Sequence, residues 1–489
     1  VLGPSLFASV LLFSPFEIPS SANAALASTL WIAAWWVTEA IPIPATSLLP
    51  IVLFPLTGVV DAPAATAPYA DPVVFLLLGG FLLALGIERW GLHRRIALSI
   101  MSFVGTRSDR LLLGFMLATA FLSMWISNSA TAMLMVPIGA AVAVSVGAVD
   151  EQETAAGTEE DDIVAGVRTD PDERPASDFG LALMLGIAYS ASIGGVATLI
   201  GSPPNAVFAG VAESRLDVQV SFLDWLVFAG PLSIVFLFIT WVLLVKLLRP
   251  EIPHDQGVEA IIRTQREELG AITCGERRVS AVFALVAAGW LLRPFVLQPL
   301  FPAITDTVVA IVGGVLLFVV PVDYENREFL LDWGDATRVP WGVLLLLGAG
   351  FSLANGFQES GLDTVIAQGL AGIAGVPVVV LVLLFDTVVL FLTEVTSNTA
   401  TATVFMPIMI RLGLTLDVSP LMLMATTALA ASMAFMLPVA TPPNAVVFGS
   451  GYVTIPQMSR VGLWLNLLGI VAVIVLTYAW LPIALTLAG

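Results

Sequence analysis

The chain carries one pattern of residues twice, 270 positions apart. The segment LLLGGFLLALGIERWGLHRRIA at 76–97 aligns with LLGAGFSLANGFQESGLDTVIA at 346–367, and SNSATAMLMVPI at 127–138 aligns at the same offset with SNTATATVFMPI at 397–408. A shared apolar bias does not keep one register across two separate segments. The sequence therefore predicts an internal duplication, which is typical of secondary transporter folds.

A second shared motif follows each Ser-Asn pair. It reads GSPPN at 201–205 and ATPPN at 440–444. The first repeat is longer between its two motifs, and the acidic segment 147–178 accounts for the excess. We interpret that segment, which includes EEDD at 159–162, as a solvated loop inserted into the first repeat.

Composition places both repeats in a lipid bilayer. The 489 residues are 58% hydrophobic and 11% charged, with a mean hydropathy of +0.96, and many apolar runs are long enough to cross a hydrocarbon core of about 30 Å. The net charge of -18 does not favour nucleic acid as a partner. Lys246 is the one lysine among 19 basic residues, which together with a pI near 4.4 suggests the plasma membrane of a salt-adapted prokaryote such as a halophilic archaeon.

The apolar runs and hydrophilic linkers divide the chain into five parts. The predicted parts are N-terminal scaffold helices at 1–71, a first repeat at 72–248, a cytoplasmic linker at 249–278, connecting helices and a loop at 279–338, and a second repeat at 339–489. Within the first repeat we predict a hairpin at 111–149, the acidic loop at 147–178 and a broken helix at 179–213. Within the second we predict a hairpin at 376–412, a broken helix at 419–450 and a last helix at 461–488.

The two repeats are predicted to insert in opposite directions. An odd number of crossings separates their matched starts, if each hairpin enters and leaves on the same side. With the loop 89–110 inside the cell, the basic residues predicted outside are Arg215, Arg293 and Arg411, and the others lie on the cytoplasmic side. This asymmetry supports inverted repeats.

The repeated motifs have the chemistry of an ion site. Pro-Pro inside an apolar segment removes two backbone donors and breaks the helix, which frees carbonyl groups and exposes a half-helix N-terminus. Asn offers a carbonyl to a hard cation and an NH₂ group to an oxyanion, and hydroxyls serve either role. Because no Arg or Lys is predicted at this centre, a divalent anion would depend on neutral donors, helix ends and bound cations.

The paired Ser-Asn motifs, the paired Pro-Pro-Asn turns and WWVTEAIPIPATSLLP at 35–50 resemble the divalent anion/sodium symporter family across nearly the whole chain. The resemblance implies an all-α polytopic membrane protein with about 11 transmembrane helices and two re-entrant helical hairpins. It also implies a homodimer that works as an elevator, with arm helices at 88–104 and 358–372. The expected function is sodium-coupled uptake of a divalent anion, most simply a C4-dicarboxylate.

The resemblance also implies the site residues. The two sodium sites would use Ser123, Ser127, Asn128 and the Gly201 carbonyl, and Thr393, Thr396, Asn398 and the Ala440 carbonyl. The substrate would contact Asn128, Ser129, Ser202, Pro203, Asn398, Thr399, Thr441 and Pro442. Ser129 and Ser202 stand where many dicarboxylate carriers have Thr, which leaves the anion preference open.

Alternatives remain open at this point. A sulfate or citrate carrier and a proton-coupled or arsenite-type carrier of the same superfamily are rivals within transport. A channel or a membrane enzyme is the rival outside it, although no HExxH, GxSxG or P-loop pattern occurs.

Four further polar residues receive structural interpretations. We interpret Asn205 and Asn444 as structural residues of the broken helices. Asp386 and Glu394 in the second hairpin could couple protons, but their counterparts in the first hairpin are Met116 and Met124. We therefore favour structural roles for both carboxylates.

Overall fold

The computed structural model describes residues 1–13, 18–104, 108–156, 178–250, 256–370 and 376–480. Within these ranges the chain is almost entirely helical. The exception is an antiparallel two-stranded ribbon, β1 (Pro321–Asp323) and β2 (Glu328–Phe329). The all-α class predicted from the sequence is confirmed for this part of the chain.

The helices fall into four groups along the chain. The first group is α1 (Leu2–Phe13), α2 (Ser20–Thr38), α3 (Ile43–Thr46), α4 (Leu49–Thr57) and α5 (Ala62–Thr66). The first repeat contains α6 (Pro72–Arg89), α7 (Leu92–Val104), α8 (Ser108–Ser123), α9 (Asn128–Ala156), α10 (Asp178–Val196), α11 (Pro203–Leu216) and α12 (Phe222–Leu248). Between the repeats lie α13 (Gln256–Glu268), α14 (Cys274–Leu292), α15 (Gln298–Leu300), α16 (Asp306–Val319) and α17 (Trp333–Ala336). The second repeat contains α18 (Trp341–Ser360), α19 (Leu362–Leu370), α20 (Val378–Thr393), α21 (Asn398–Leu416), α22 (Pro420–Ala431), α23 (Pro442–Gly449) and α24 (Ile455–Ala479).

Seven helical stretches of the described chain are long and apolar enough to cross a membrane. They are Ala62–Arg89, Asp178–Val196, Phe222–Leu248, Cys274–Leu300, Trp341–Ser360, Asn398–Leu416 and Ile455–Ala479. Shorter apolar helices accompany them, including α16 and α20. Large apolar side chains such as Ile234, Val235 and Leu384 are exposed on the outside, as lipid contact requires. The protein is therefore a multi-pass membrane protein, and the count of eleven crossings stays a prediction.

Each Ser-Asn motif lies where two helices meet. Helix α8 ends at Ser123 and α9 begins at Asn128, and α20 ends at Thr393 and α21 begins at Asn398. Ser397 is the N-cap residue of α21, and its hydroxyl accepts a hydrogen bond from the Ala400 amide. The polar motif thus forms the tip of a helical hairpin in each repeat.

Each Pro-Pro pair opens the second half of a broken helix. In the first repeat the break covers residues 197–202, between α10 and α11. In the second it covers residues 432–441, between α22 and α23. Proline suits the first positions of a helix because its missing N–H would have no partner there.

Some predicted boundaries differ from the observed ones. Helix α9 continues to Ala156, ten residues into the segment assigned to the acidic loop, and residues 157–177, with the EEDD run, lie outside the described residues. The ranges predicted for the arm helices contain α7 and α19, and positions 371 and 372 of the second range lie outside the described part. The linker 249–278 contains α13 and the start of α14, with 251–255 outside the description. The last helix begins earlier than predicted, at Ile455, and residues 481–488 are likewise not described.

Helix α10 occupies the centre of the first repeat. Apart from Asp178, all of its residues are buried, and it contacts α8, α9, α12 and α23. Because α23 belongs to the second repeat, the two repeats share one apolar core at this point. This contact holds the two helix breaks close together.

Candidate functional site

Both hairpin tips and both Pro-Pro turns line one cavity of about 890 Å³. The structure brings together at its wall all eight residues expected to bind substrate. They are Asn128, Ser129, Ser202, Pro203, Asn398, Thr399, Thr441 and Pro442.

The first expected cation set lies behind this wall. The Ser123 hydroxyl has one hydrogen but two acceptors, because its Oγ lies 2.6 Å from Asn128 Oδ1 and 2.6 Å from the Ala191 carbonyl oxygen. With its amide reversed, Asn128 would donate to Ser123 Oγ at 2.6 Å and to the carbonyls of Ala191 at 3.1 Å and Gly201 at 3.2 Å, so the amide nitrogen can supply hydrogens to these oxygens when no cation is bound. In the unreversed orientation four oxygens, those of the Ser123 hydroxyl, the Asn128 amide and the Ala191 and Gly201 carbonyls, share only the hydroxyl hydrogen. Such a set of oxygen ligands suits a hard cation.

The second cation set repeats this arrangement. The Thr393 hydroxyl lies 2.5 Å from Asn398 Oδ1 and 3.1 Å from the Ala431 carbonyl oxygen, so it too has two acceptors for one hydrogen. Amide, hydroxyl and carbonyl oxygens are the ligands that sodium takes in proteins. The residues expected to hold sodium therefore fit that ion in both repeats.

Two of the predicted sodium ligands form side-chain hydrogen bonds with nearby residues of their own hairpin. The Ser127 hydroxyl accepts from the Ala130 amide at 3.3 Å. The Thr396 hydroxyl donates to the Leu392 carbonyl at 2.9 Å and lies 2.8 Å from Thr401 Oγ1. Ser127, Gly201, Thr396 and Ala440 nevertheless line the cavity. The carbonyls of Ala191 and Ala431 are additional oxygens that sequence reasoning missed, since no side chain marks them.

The described residues contain no group of three His, Cys, Asp or Glu side chains that could hold a metal ion. A cation at the cavity would therefore be held mainly by neutral oxygens. That arrangement favours sodium over a transition metal, which prefers imidazole or thiolate ligands.

Asn205 and Asn444 hold the helix breaks together. Asn205 Nδ2 donates to the carbonyls of Gly195 at 3.0 Å, Val196 at 3.2 Å and Thr198 at 2.7 Å. Both Asn side chains are fully buried. Asn444 makes the corresponding contacts to the Ala434 and Leu437 carbonyls. These contacts agree with the structural interpretation made from the sequence.

Glu394 fixes the second helix break from the other side. Its carboxylate accepts the backbone N–H groups of Phe435 at 2.9 Å, Met436 at 3.0 Å and Leu437 at 3.1 Å. It also accepts from Asn466 Nδ2 at 2.6 Å. A buried carboxylate with four donors is a structural clamp, as we interpret it from the sequence, and its partner Asn466 carried no signal in the repeat pattern.

The first break is fixed differently. At the position of Glu394 the first repeat has Met124, whose backbone carbonyl accepts from the Thr198 hydroxyl at 2.6 Å. The Gly201 amide in turn donates to the Thr198 hydroxyl at 3.1 Å. The two repeats thus share a shape but differ in the groups that stabilise it.

One polar contact joins the two broken helices. Ser202 Oγ lies 3.3 Å from Ser432 Oγ, with both side chains buried. Ser202 is the last residue before α11, and Ser432 is the first residue after α22. Sequence reasoning missed Ser432, because it lies outside both motifs.

Four titratable residues of the described chain also line the cavity. They are Glu39, Glu88, His93 and Arg338. Arg338 forms an ion pair with Glu88, and their side chains are 52% and 33% exposed. The sequence predicts no Arg or Lys at the centre of the site, and Arg338 is a lining residue that this prediction missed. Arg338 precedes α18 in the chain, and only the packing of the helices brings its side chain to the cavity.

Two helical hairpins and two broken helices around a shared cavity, in a multi-pass helical protein, define a secondary transporter. The chain belongs to the divalent anion/sodium symporter family: the family model described as the sodium:sulfate symporter transmembrane region matches residues 6–487. The family expected from the motifs is thereby confirmed.

Named relatives are similar over nearly their whole length. The chain is 42% identical over 490 residues to the sodium-dependent dicarboxylate transporter SdcS of Staphylococcus saprophyticus, covering 99% of this chain and 91% of the relative. The same values hold for SdcS of Staphylococcus aureus strain USA300. Among solved structures, the YdaH transporter of Alcanivorax borkumensis matches with a TM-score of 0.58 at 16% identity, covering 95% of this chain and 99% of that one, which shows a similar fold.

Proposed function

We propose that this protein is a secondary active transporter that couples the uptake of a C4-dicarboxylate to sodium ions. The observation that carries the proposal is the convergence of Asn128 and Asn398 on one cavity, each backed by a hydroxyl with two oxygen neighbours. Sodium coupling also agrees with the family and with the names of the relatives.

Cations and the anion would bind on opposite sides of the same two amides. With cations bound, the amide oxygens of Asn128 and Asn398 would face the hydroxyls of Ser123 and Thr393, and the amide nitrogens would be available to an anion. The N-terminus of α11 opens at the cavity and favours negative charge. Sodium ions would supply most of the positive charge that the neutral donors lack.

A dicarboxylate suits this cavity better than a single tetrahedral ion. The two repeats present two similar sets of donors to one cavity, with Asn128 and Ser129 in one set and Asn398 and Thr399 in the other. A ligand with a carboxylate at each end can use both sets at once. The relatives named as dicarboxylate transporters agree with this choice.

The state described here opens to the cytoplasm under the predicted orientation. The cavity extends to Glu88 and His93, at the start of the loop 89–110 predicted inside the cell. An elevator-type movement of the hairpins and broken helices against α6 and α18, in a homodimer, would expose the same cavity on the other side. The crossing count and the dimer belong to this proposal.

The bacterial relatives support a prokaryotic plasma membrane as the location. They give no support to the more specific expectation of a halophilic archaeon. The family consists of transporters, and we propose no enzymatic activity.

Uptake into proteoliposomes tests the function. Labelled succinate, citrate and sulfate are offered with an inward sodium gradient, and again with choline in place of sodium. We expect succinate uptake that depends on sodium. Uptake at an unchanged rate in choline contradicts sodium coupling, and sulfate or citrate uptake without succinate uptake contradicts the substrate.

A second measurement separates a carrier from its rivals. Labelled succinate should exchange against an unlabelled gradient and be recovered unchanged. A channel would not show counterflow, and an enzyme would return an altered product.

A further inference from the structure

The carboxylate of Asp386 is buried in the second hairpin, and Asp386 is not among the residues that line the cavity. Asp386 lies on α20, its side chain is 1% exposed, and it makes a hydrogen bond with Thr426 on α22. Its Oδ2 atom has no hydrogen-bond partner within the described chain. A carboxylate in this position is costly unless something neutralises it.

The helices around Asp386 supply no basic partner in the described residues. Helix α20 contacts α21, α22 and α24. Arg411 of α21 pairs with Asp363, and Arg460 stands near the opposite end of α24 from Tyr478. Among the described residues, Tyr478 of α24 is a titratable group within electrostatic range of the Asp386 carboxylate.

Hydroxyl oxygens lie on α22 and α24, two of the helices that pack against α20. Thr426 Oγ1 has one hydrogen for two acceptors, the Leu423 carbonyl at 2.9 Å and the carboxylate of Asp386. Thr477 Oγ1 and Tyr478 Oη of α24 are buried without a partner in the described chain. One hydrogen between two oxygens is the arrangement that also marks Ser123 and Thr393 at the cavity.

The first repeat places apolar residues where the second places these four. Asp386 corresponds to Met116 at the hairpin offset of 270, and Thr426 corresponds to Gly186 in the register set by the matching Ala191 and Ala431 carbonyls. The capping boxes that start α12 at Ser221 and α24 at Thr454 set a third register. In that register the counterparts of Thr477 and Tyr478 are Leu244 and Val245.

This difference argues against a role in packing alone. Met116, Gly186 and Leu244 are buried, so the shared fold needs no polar side chain at these positions. A buried carboxylate with unpaired hydroxyls nearby destabilises the second repeat unless a ligand binds there.

We propose that Asp386, with the hydroxyls of Thr426 and Tyr478, forms a further sodium site in the second repeat. A carboxylate and neutral oxygens are the ligands that suit a hard cation, and the ion would neutralise the buried charge. The site rests on the sodium coupling proposed above and adds an ion outside the two sets that line the cavity.

The site is connected to the cavity through two helices. Asp386 precedes Thr393 by seven residues on α20, and Thr426 precedes Ala431 by five on α22, which corresponds to about 10 Å and about 8 Å along the helices. Thr393 and Ala431 are in hydrogen-bond contact at the cavity sodium set. An ion that holds α20 against α22 at Asp386 would therefore stabilise the contact between Thr393 and Ala431.

Three variants test the proposal. Asp386→Asn removes the charge at constant size, Tyr478→Phe removes one unpartnered hydroxyl, and Thr387→Val is the control. Thr387 is the next residue on α20, and its hydroxyl bonds only to the Leu383 carbonyl of its own helix. Each variant is measured in proteoliposomes for the sodium dependence of succinate uptake at several pH values, and in detergent for the rise in Tm when choline is replaced by sodium.

We expect Asp386→Asn to make uptake less steeply dependent on sodium and to reduce the rise in Tm. Tyr478→Phe should raise the half-saturating sodium concentration several-fold, and Thr387→Val should match the wild type. Because the Tyr478 hydroxyl has no partner in the described chain, a purely structural role predicts no loss in Tyr478→Phe.

Unchanged sodium dependence and Tm rise in both variants, with wild-type uptake still dependent on sodium, would overturn the site. A changed pH profile with unchanged sodium dependence would overturn it too, since Asp386 would then bind a proton. If Asp386→Asn does not fold, Tyr478→Phe decides. Wild-type uptake that ignores sodium would instead refute the proposed function.

Discussion

Asn128 and Asn398 line the same cavity although 270 residues separate them in the chain. Each amide oxygen lies within 2.6 Å of a hydroxyl five residues earlier, Ser123 Oγ at 2.6 Å and Thr393 Oγ1 at 2.5 Å. Each hydroxyl also contacts the carbonyl of an alanine on the neighbouring broken helix. The duplication in the sequence thus becomes a pair of matching oxygen sets around one space.

Replacing either of these amides should abolish coupled uptake. We expect no sodium-driven succinate uptake from Asn128→Ala or Asn398→Ala. Each amide belongs to a proposed sodium site and also lines the cavity proposed to bind the anion. The proteins should still fold, since the buried amides that hold the helix breaks are those of Asn205 and Asn444. Wild-type uptake by either variant would refute their role.

Asn205→Ala is the contrasting variant. Asn205 donates to three backbone carbonyls and does not line the cavity, so its loss leaves buried acceptors without partners. We expect a loss of stability of about 2 to 3 kcal/mol, measured by thermal unfolding in detergent. A stable Asn205→Ala protein without uptake would show that its role is not structural.

The two hydroxyls next to the amides should set the affinity for sodium. Thr393→Val removes the oxygen at nearly constant size, and we expect the half-saturating sodium concentration for uptake to rise at least tenfold, as the loss of one ion ligand worth about 1.4 kcal/mol requires. Thr393→Ser keeps the hydroxyl and places at 393 the residue found at 123, so it should stay close to wild type. Equal sodium affinity in the Val and Ser variants would contradict the assignment.

Glu394→Gln should destabilise the protein. The carboxylate accepts three consecutive backbone N–H groups and the Asn466 amide, whereas a glutamine NH₂ would face donors. We expect a loss of about 3 kcal/mol or a failure to fold. Glu88→Gln is the matched control, because its partly exposed ion pair with Arg338 contributes about 1 kcal/mol or less. Similar unfolding temperatures for the two variants would contradict the clamp.

Arg338 should attract the anion to the cavity at low ionic strength. Arg338→Gln removes a positive charge from the cavity wall while stability changes little, since the side chain is half exposed. We expect a several-fold higher KM for the dicarboxylate at low salt and a smaller difference when choline chloride is added at constant sodium, because salt screens exposed charges. An effect on KM that does not depend on salt would indicate direct binding instead.

The sequence by itself determined the class, the repeat and the motif residues. Duplicated register, apolar length and Pro-Pro breaks depend on local chemistry, so they can be read from the order of residues. The eight residues expected to bind substrate could be named before the cavity that they line was seen, because the motifs resemble those of a known family.

Only the tertiary structure decided which groups face one another. The carbonyls of Ala191 and Ala431, the clamp between Glu394 and Asn466, and the wall position of Arg338 all join residues far apart in the chain or use backbone atoms that no side chain marks. Asp386 and the three hydroxyl residues Thr426, Thr477 and Tyr478 likewise come together only when α20, α22 and α24 pack. Sequence patterns record which local structure each segment can form. Whether a buried oxygen has a hydrogen-bond donor depends on distances between helices, and these are set only when the helices have packed.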